Sequence, residues 1–185
     1  MANQLEGMGE AQLLQQVLAG RTEAYGQVFH RHRDRAYGLA LQYTRNKEDA
    51  LDVVQDAFIR AYQNLSKFDL RKDFCPWLLT IVRNLAIDLL RKRKRTAAEE
   101  LPDAMPDKSG RIRADDKLLR KEVWKKLMGL APDHREIVFL KDYQGHSYSE
   151  IAEILSIPMG TVMSRLHHAR KNLAKAVAGK IHEVR

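Results

Sequence analysis

The chain has 185 residues, of which 30% are charged and 44% hydrophobic, and its net charge is +8. This length allows one domain or two small ones, and no apolar run is long enough to span a membrane. The N-terminus lacks a secretion signal, and the single cysteine, Cys75, excludes an internal disulfide. We therefore expect a cytoplasmic protein, and the positive charge suits a polyanionic partner such as nucleic acid.

Helical periodicity dominates the chain outside its middle, and few segments alternate as strands do. The predicted fold class is therefore all-α, with helices at 10–19, 22–44, 47–65, 76–95, 115–130, 133–143, 148–155 and 159–180. Gly20 and Gly145 are placed to end helices, and Asn46 is placed to cap the third helix. Pro76 and Pro132 suit the first positions of the fourth and sixth helices.

The third predicted helix carries acidic residues along one side. Asp49, Asp52 and Asp56 recur at spacings of three and four, with Gln55 beside them, while apolar residues that include Leu51 fall roughly opposite. Such a face is usually only solvated. Beside DNA-contacting segments it could instead dock a basic protein partner, and both interpretations stay open at this point.

The loop 66–73 and the fourth helix combine aromatic, polar and cationic residues. Single-stranded DNA needs flat surfaces for unstacked bases and cations for its phosphates, so this mixture favours such a contact. Five consecutive cations at 91–95 repel one another, and a phosphate backbone relieves that repulsion. The alternative is that Phe74 and Trp77 only cap the hydrophobic core where the fourth helix begins. The residues predicted to contact DNA here are Lys67, Phe68, Arg71, Lys72, Trp77, Thr80, Asn84, Asp88, Arg91 and Arg95.

Residues 96–114 have the composition of a flexible linker, with two prolines, a glycine and scattered charge but no helical periodicity. This segment divides the chain into two small helical domains, 1–95 and 115–185. Basic residues outnumber acidic ones in both domains but not in the linker. The distribution favours two DNA-contacting modules on a tether.

Residues 147–173 predict a helix-turn-helix. Ser147 and Glu150 form a capping box for its first helix, Pro158 interrupts the pattern, and apolar residues recur at 162, 166, 169 and 173 along its second helix. The outward groups of the second helix suit base edges and phosphates, although an ordinary helical hairpin is the alternative. The residues predicted to contact DNA are Thr161, Ser164, Arg165, His167, His168 and Lys171.

No cofactor or metal site is predicted. The pairs His30/His32 and His167/His168 lack a third ligand at suitable spacing and are interpreted as surface histidines. Cys75 is interpreted as a buried, inert thiol in preference to an oxidation sensor. Catalysis would need paired carboxylates for a metal, or a nucleophile with a base, and the acidic cluster of the third helix has no such companions. The chain is therefore not expected to be an enzyme.

These segments resemble the sigma factors of bacterial RNA polymerase. The second region of that family resembles the sequence NKEDALDVVQDAFIRAYQNLSKFD followed by FCPWLLTIVRNLAIDLLRKRKR. The fourth region resembles LAPDHREIVFLKDYQGHSYSEIAEILSIPMGTVMSRLHHARKNL. Because no sequence for the other sigma domains is present, the chain resembles the extracytoplasmic-function (ECF) group.

The resemblance implies a promoter-specificity subunit. By similarity, Asp49, Asp52, Gln55 and Asp56 would bind the clamp coiled coil of the polymerase's largest subunit. The loop 67–72 would receive a flipped base of the −10 element, and the helix after it would engage the surrounding non-template strand. The last helix would read the −35 element as duplex, and the linker would thread through the RNA-exit path.

The resemblance also implies control by an anti-sigma factor that covers the polymerase-binding surfaces. Relatives often carry arginine where this chain has Met163 and His168, so no −35 sequence is carried over. A one-component regulator that senses a ligand and binds an operator is the alternative. It is disfavoured because the N-terminal domain carries outward polar positions and a cation run where a sensor needs an enclosed apolar pocket.

Overall fold

The computed structural model describes Leu5 and residues 7–96 and 124–178, with side chains as far as 93 in the first range and 175 in the second. Across these residues every regular element is helical, which confirms the predicted all-α class. The chain divides into two compact units, Met1–Ala104 and Met105–Arg185. The linker predicted at 96–114 lies almost wholly outside the described residues, so its boundaries stay a prediction.

The described part of the N-terminal unit contains helices α1 (Glu10–Leu18), α2 (Glu23–Thr44), α3 (Lys47–Gln63) and α4 (Phe74–Thr96), with a 3₁₀ turn at Leu65–Lys67. The predicted signals at the ends of these helices are confirmed. Gly20 follows α1 with φ +92°, and the Asn46 side chain accepts hydrogen bonds from the first-turn amides of α3 at 2.9 and 3.2 Å. The fourth helix begins two residues before the predicted start, so Pro76 lies in its first turn.

Helices α2, α3 and α4 pack against one another through alanine. The fully buried alanines of these helices are Ala24, Ala36, Ala40, Ala50, Ala57, Ala61 and Ala86. A methyl side chain lets helix backbones approach closely, so the three helices form one tightly packed core. Larger side chains such as Leu39, Phe58 and Leu78 fill the space around these contacts.

Leu51, which the sequence places roughly opposite the acidic residues of α3, lies outside the core. Its side chain is 58% exposed, although its neighbour Ala50 is fully buried. Successive residues of a helix point about 100° apart, and the arc that packs on α2 and α4 is centred on the alanines. Leu51 lies just beyond that arc. Ile59 and Tyr62 are also exposed, at 46% and 43%.

The described part of the C-terminal unit contains α5 (124–128), α6 (Pro132–Val138), a π-helical turn (Phe139–Tyr143), α7 (Tyr148–Leu155) and α8 (Met159–Ala178). The helix predicted at 115–130 is described only from 124 onward. The helix predicted at 133–143 changes to π-helical geometry after Val138. In this turn the rings of Phe139 and Tyr143 stack with centroids 4.8 Å apart, and Gly145 then takes φ +81°.

A buried ion pair joins α1 to α2 in the N-terminal unit. His32 is 7% exposed and its Nε2 pairs with the carboxylate of Glu10, so its interpretation as a surface histidine is wrong. Burial lowers the pKa of His32, but hydrogen bonds to Cys75 and Glu10 and the charge of Glu10 outweigh that effect and raise the pKa to about 9. Cys75 is buried, as predicted.

The His32–Glu10 pair predicts a loss of stability at alkaline pH. The histidine pKa is about 6.5 in an unfolded chain, so the contribution is complete below that value and is lost as pH rises through about 9. We expect the free energy of unfolding to fall more steeply between pH 7 and 10 in the native chain than in His32→Gln, measured by urea denaturation. His30→Gln, which alters an exposed histidine of the same helix, is the control. Identical pH profiles for native chain and His32→Gln would contradict the prediction.

Candidate functional site

A concave site of about 390 Å³ lies where the end of α3 meets α4. Its lining residues, which we call the loop pocket, are Arg60, Asn64, Lys67, Trp77, Ile81 and Asn84. The sequence predicts Lys67, Trp77 and Asn84 as DNA contacts, and the structure brings these three together. Spacings of four and three place Trp77, Ile81 and Asn84 on one side of α4.

The sequence does not predict the other three members of the loop pocket, which are Arg60, Asn64 and Ile81. Asn64 caps the C-terminal end of α3, and its Nδ2 donates a hydrogen bond to the Arg60 carbonyl at 2.8 Å. The amide orientation that makes this bond leaves Oδ1 as an acceptor. Ile81 could have been found because it follows Trp77 by four residues. Arg60 and Asn64 could not, because their place depends on how α3 packs against α4.

The loop after the 3₁₀ turn is held by Asp69 and Arg71. The Asp69 carboxylate accepts from the backbone amide of Arg71 at 3.1 Å and from its guanidinium at 2.9 and 2.8 Å. The hydrogen bonds from the Arg71 side chain have the larger effect and the one from its backbone amide the smaller, and together they lower the pKa of Asp69 to about 2. The Arg71 side chain remains 90% exposed, and Lys72 beside it is also exposed. The loop therefore presents cations to solvent in a fixed backbone shape.

The prediction that Phe68 contacts DNA needs correction. Its side chain is 9% exposed, and its ring centroid lies 4.8 Å from Trp77 and 5.7 Å from Phe74. Phe68 therefore supports the Trp77 ring from inside the fold, since these packing contacts leave little of it accessible. Phe74 is fully buried, which agrees with the core alternative, whereas Trp77 is half-buried and lines the loop pocket.

The polar and charged residues of α4 that are predicted to contact DNA form a stripe, Thr80, Asn84, Asp88, Arg91 and Arg95, and this stripe is divided in the structure. Thr80 donates its hydroxyl to the Pro76 carbonyl at 2.9 Å. Asp88 and Arg91 form an ion pair at 3.5 Å and line a second concave site, about 430 Å³, between α3 and α4. The side chain of Arg95 lies outside the described residues. Within the described stripe, only Asn84 reaches the loop pocket.

Asp49 differs from the other acidic residues of α3. The Arg93 guanidinium contacts both of its carboxylate oxygens, at 2.5 and 2.6 Å, and its side chain is only 14% exposed. Asp49 therefore ties α3 to the cation run of α4, which leaves little of it for a partner. The other predicted residues are exposed. We define the outer face of α3 by its exposed residues Leu51, Asp52, Gln55, Asp56, Ile59 and Tyr62.

The C-terminal unit contains the predicted helix-turn-helix. The hydroxyl of Ser147 accepts from the Glu150 amide at 3.2 Å, and the Ser147 amide donates to the Glu150 carboxylate at 2.7 Å, which confirms the capping box. Burial raises the pKa of Glu150, but the hydrogen bonds from Ser147 and His146 hold it below its ordinary value. Ser156 ends α7 with φ +53°, and Pro158 precedes α8.

Helix α8 has a narrow buried face and a broad exposed one. Val162, Leu166 and Ala169 are buried as predicted, while Leu173 is only half-buried. Of the residues predicted to contact DNA, Thr161 is half-buried. The exposed ones are Ser164, His167, His168 and Lys171.

Two arginines of α8 point toward acidic residues of their own unit. The half-buried Arg165 lies 3.3 Å from the Asp133 carboxylate at the start of α6. Arg170 pairs with Asp142 in the π-helical turn, with its Nε 3.1 Å from an Asp142 oxygen. These guanidinium groups are therefore drawn to the flanks of α8, away from the middle of its exposed face.

Across the described residues, no helix is long and apolar enough to cross a membrane. Within the same ranges, no three histidine, cysteine or carboxylate side chains gather as metal ligands would.

Residues 28–96 match the family model for Sigma-70 region 2, and residues 120–173 match that for Sigma-70 region 4. The ECF RNA polymerase sigma factor SigW of Bacillus subtilis strain 168 is 33% identical over 181 residues, which cover 88% of this chain and 93% of SigW. A solved structure of CnrH in complex with the cytosolic domain of CnrY is also similar. Its TM-score is 0.71 at 27% identity, and the match covers 92% of this chain and 97% of CnrH.

A second similar structure is the sigma factor RpoE in complex with the anti-sigma factor NepR from Bartonella quintana. Its TM-score is 0.70 at 26% identity, over 83% of this chain and 96% of that one. The fold and these matches define a bacterial transcription factor with two helical domains. The chain belongs to the ECF group of the sigma-70 family of RNA polymerase sigma factors. The resemblance given by the sequence is therefore confirmed.

The capping box gives a prediction for the helix-turn-helix. Ser147→Ala removes the side-chain acceptor for the Glu150 amide, and loss of such a cap costs about 1 kcal/mol. We expect the amides of α7 to exchange with solvent roughly fivefold faster in the full chain, measured by NMR hydrogen exchange. Ser164→Ala is the matched control, because its hydroxyl only donates to the Thr161 carbonyl. Equal α7 protection in both variants would contradict the prediction.

Proposed function

We propose that this sigma factor binds core RNA polymerase through the outer face of α3, the melted −10 element at the loop pocket and the −35 duplex through α8. The observation that carries the proposal is that the N-terminal unit presents two sets of accessible groups with no residue in common, the apolar and acidic residues of the outer face and the aromatic, amide and cationic residues of the loop pocket. One rigid unit can therefore hold the polymerase and a DNA strand at the same time. Action on chromosomal DNA places the protein in the cytoplasm, and no cofactor is needed for this function.

The loop pocket has the properties that a flipped base requires. Unstacking a base costs a few kcal/mol, which new contacts must offset. The half-buried Trp77 ring offers a stacking surface, and the amides of Asn64 and Asn84 offer hydrogen bonds. Lys67 and the exposed cations of the neighbouring loop suit the adjoining phosphates. The chemistry fits a single strand better than a duplex, whose bases remain stacked and present only their edges.

The outer face of α3 has the composition of a protein interface. Leu51, Ile59 and Tyr62 supply apolar surface, and Asp52 and Asp56 supply negative charge beside it. Apolar area contributes affinity once it is buried, while charge directs encounter and excludes wrong partners. A helical partner surface with basic residues around an apolar stripe would be complementary. This supports a polymerase contact through Asp52, Gln55 and Asp56 and removes Asp49 from it.

In the C-terminal unit, α8 occupies the position of a recognition helix, with its N-terminal half presented to the major groove. Lys171 is exposed for a phosphate contact. The Arg165–Asp133 pair is partly solvated, and such pairs contribute about 0–1 kcal/mol. A phosphate can therefore draw Arg165 away from Asp133, so we assign this arginine to the DNA backbone at the flank of the helix.

Control by an anti-sigma factor also belongs to this proposal. RpoE is bound by the anti-sigma factor NepR in its structure, and CnrH by the cytosolic domain of CnrY. In this chain the outer face of α3 exposes three large apolar side chains, which a bound inhibitor would shield from water. A protein that covers this face would block the polymerase at the same surface.

The test of the proposed function is transcription in vitro with bacterial core RNA polymerase on fragmented genomic DNA, with and without the protein. Discrete new transcript starts that depend on the protein are the expected result, and aligning the DNA upstream of them would define both promoter elements. Specific duplex binding by the protein alone, without new transcripts, would overturn the proposal in favour of an operator-binding regulator.

Reversing the charge of the outer face should abolish polymerase binding. Asp52→Lys/Asp56→Lys would place two cations where the proposed partner is basic, so we expect binding to core polymerase to weaken at least tenfold, on the order of 1.4 kcal/mol or more. Fluorescence anisotropy of the labelled chain would measure the affinity, and circular dichroism would verify its helical content. The matched control is Asp34→Lys, a charge reversal at an exposed site on α2. Undiminished affinity in the double variant would show that the acidic face is only solvated.

Removing the stacking surface of the loop pocket should impair promoter melting without affecting polymerase binding. Stacking of a base on an aromatic side chain contributes about 1–3 kcal/mol, so Trp77→Ala should reduce open-complex formation roughly tenfold. Permanganate reactivity of unpaired thymines would measure melting. Trp77→Phe, which keeps an aromatic ring above Phe68, should retain most of the activity. If Trp77→Ala melts promoters normally, the loop pocket is not the base site.

A further inference from the structure

We propose that Met163 reads the methyl group of a thymine in the −35 duplex, so that the element this chain prefers has thymine at the base pair facing that side chain. The inference rests on the proposed function of α8 and adds a base preference to it. It concerns a position whose chemistry is unusual for a DNA-reading helix, because a thioether can neither donate a strong hydrogen bond nor pair with phosphate.

Met163 lies in the second turn of α8 and is 48% exposed, between the fully buried Val162 and the exposed Ser164. An exposed methionine is by itself ordinary on a protein surface. The position of Met163 indicates a role, because the N-terminal half of the second helix is the part that a helix-turn-helix inserts into the major groove. His167, one turn later on the same side, is also exposed.

The groups around Met163 do not offer the arginine chemistry that reads guanine. Arg165 and Arg170 are drawn to Asp133 and Asp142 on the flanks of α8. The Ser164 hydroxyl donates to the Thr161 carbonyl at 3.2 Å, which leaves its oxygen as an acceptor. The middle of the exposed face therefore presents a thioether and imidazoles in place of a guanidinium fork.

Thymine is the base that complements such a surface. Its methyl group is the apolar feature of the major-groove edges, where the other bases present hydrogen-bonding groups. The methionine side chain is flexible and polarisable, so it can follow the groove and cover a methyl group. Contact between the methionine side chain and the thymine methyl group removes apolar surface of both from water.

The competing explanation for the exposed Met163 is that it contacts a protein partner. The residues around Met163 disfavour this explanation. A protein interface has an apolar centre of several residues within a polar rim. The exposed face around Met163 is instead hydrogen-bonding and cationic, through Ser164, His167 and Lys171. Met159, one turn before Met163 on the same side of α8, is also exposed, at 52%. Two methionines within a basic, polar face are fewer than the apolar centre of a protein interface needs, and this arrangement suits DNA better.

The experiment uses holoenzyme assembled from the full chain and core polymerase, and a promoter defined by the transcription assay above. Each thymine of the −35 element is replaced singly by deoxyuridine, which removes only the methyl group and keeps the base pair. We expect one position at which the native holoenzyme binds about fourfold more weakly, as the burial of one methyl group implies. Met163→Ala should bind the thymine and deoxyuridine duplexes equally, and Met163→Leu should retain the discrimination.

Lys171→Ala provides the matched control. Loss of a phosphate contact should weaken binding to both duplexes by the same factor and keep the fourfold ratio. Native holoenzyme that does not distinguish thymine from deoxyuridine, or a ratio unchanged in Met163→Ala, would overturn the inference while promoter recognition stands. A Met163→Ala variant that loses affinity for core polymerase and keeps the ratio would also overturn it and place Met163 in a protein interface. Absence of promoter-specific transcripts would instead count against the proposed function.

Discussion

Close packing of α2, α3 and α4 through alanine side chains determines where the functional groups of the N-terminal unit lie. Ala50, Ala57, Ala61 and the larger Phe58 occupy the inner side of α3. Exposed on its outer face are Leu51, Ile59 and Tyr62, with Asp52 and Asp56. The same contact brings the end of α3 against α4, and Arg60 and Asn64 thereby close one wall of the loop pocket. A bulkier residue at the alanine positions would separate these helices and alter both surfaces at once.

An ion pair joins the acidic helix α3 to the cation run at the end of α4. The cation run at the end of α4 begins beside the acidic helix α3, and Arg93 contacts both carboxylate oxygens of Asp49. The pair fixes the end of α4 against α3 and neutralises the carboxylate nearest the cations. Asp52 and Asp56 are exposed on the outer face, and both also line the concave site between α3 and α4 together with Arg91. Acidic residues of α3 and cations of α4 therefore lie side by side along this site.

Signals that act within a few residues were predictable from the sequence, and contacts between helices were not. The Asn46 cap, the Ser147–Glu150 capping box and the glycine stops involve residues one to four positions apart, so the sequence alone specifies them. The exposure of Leu51 and the burial of Phe68 and His32 could not be predicted in this way. Each depends on which neighbouring helix covers the residue, and a periodic pattern indicates that a face is apolar without giving its width. The loop pocket was predicted only in part for the same reason, since its α3 wall depends on packing.

The DNA surfaces proposed for the two units have opposite shapes, and the difference follows from the state of the DNA that each would meet. An unstacked base exposes both ring faces to water, so a site for it must be concave and must supply a stacking ring, as the loop pocket does with Trp77. A duplex keeps its bases stacked and presents only their edges, so its reader must be a convex helix that enters a groove. On α8 the arginines lie at the flanks, beside Asp133 and Asp142, and Met163 and the histidines lie at the centre. Contacts with the duplex would then divide between charge at the edges of the helix, which acts on phosphates of any sequence, and shape and apolarity at its centre, which depend on the base.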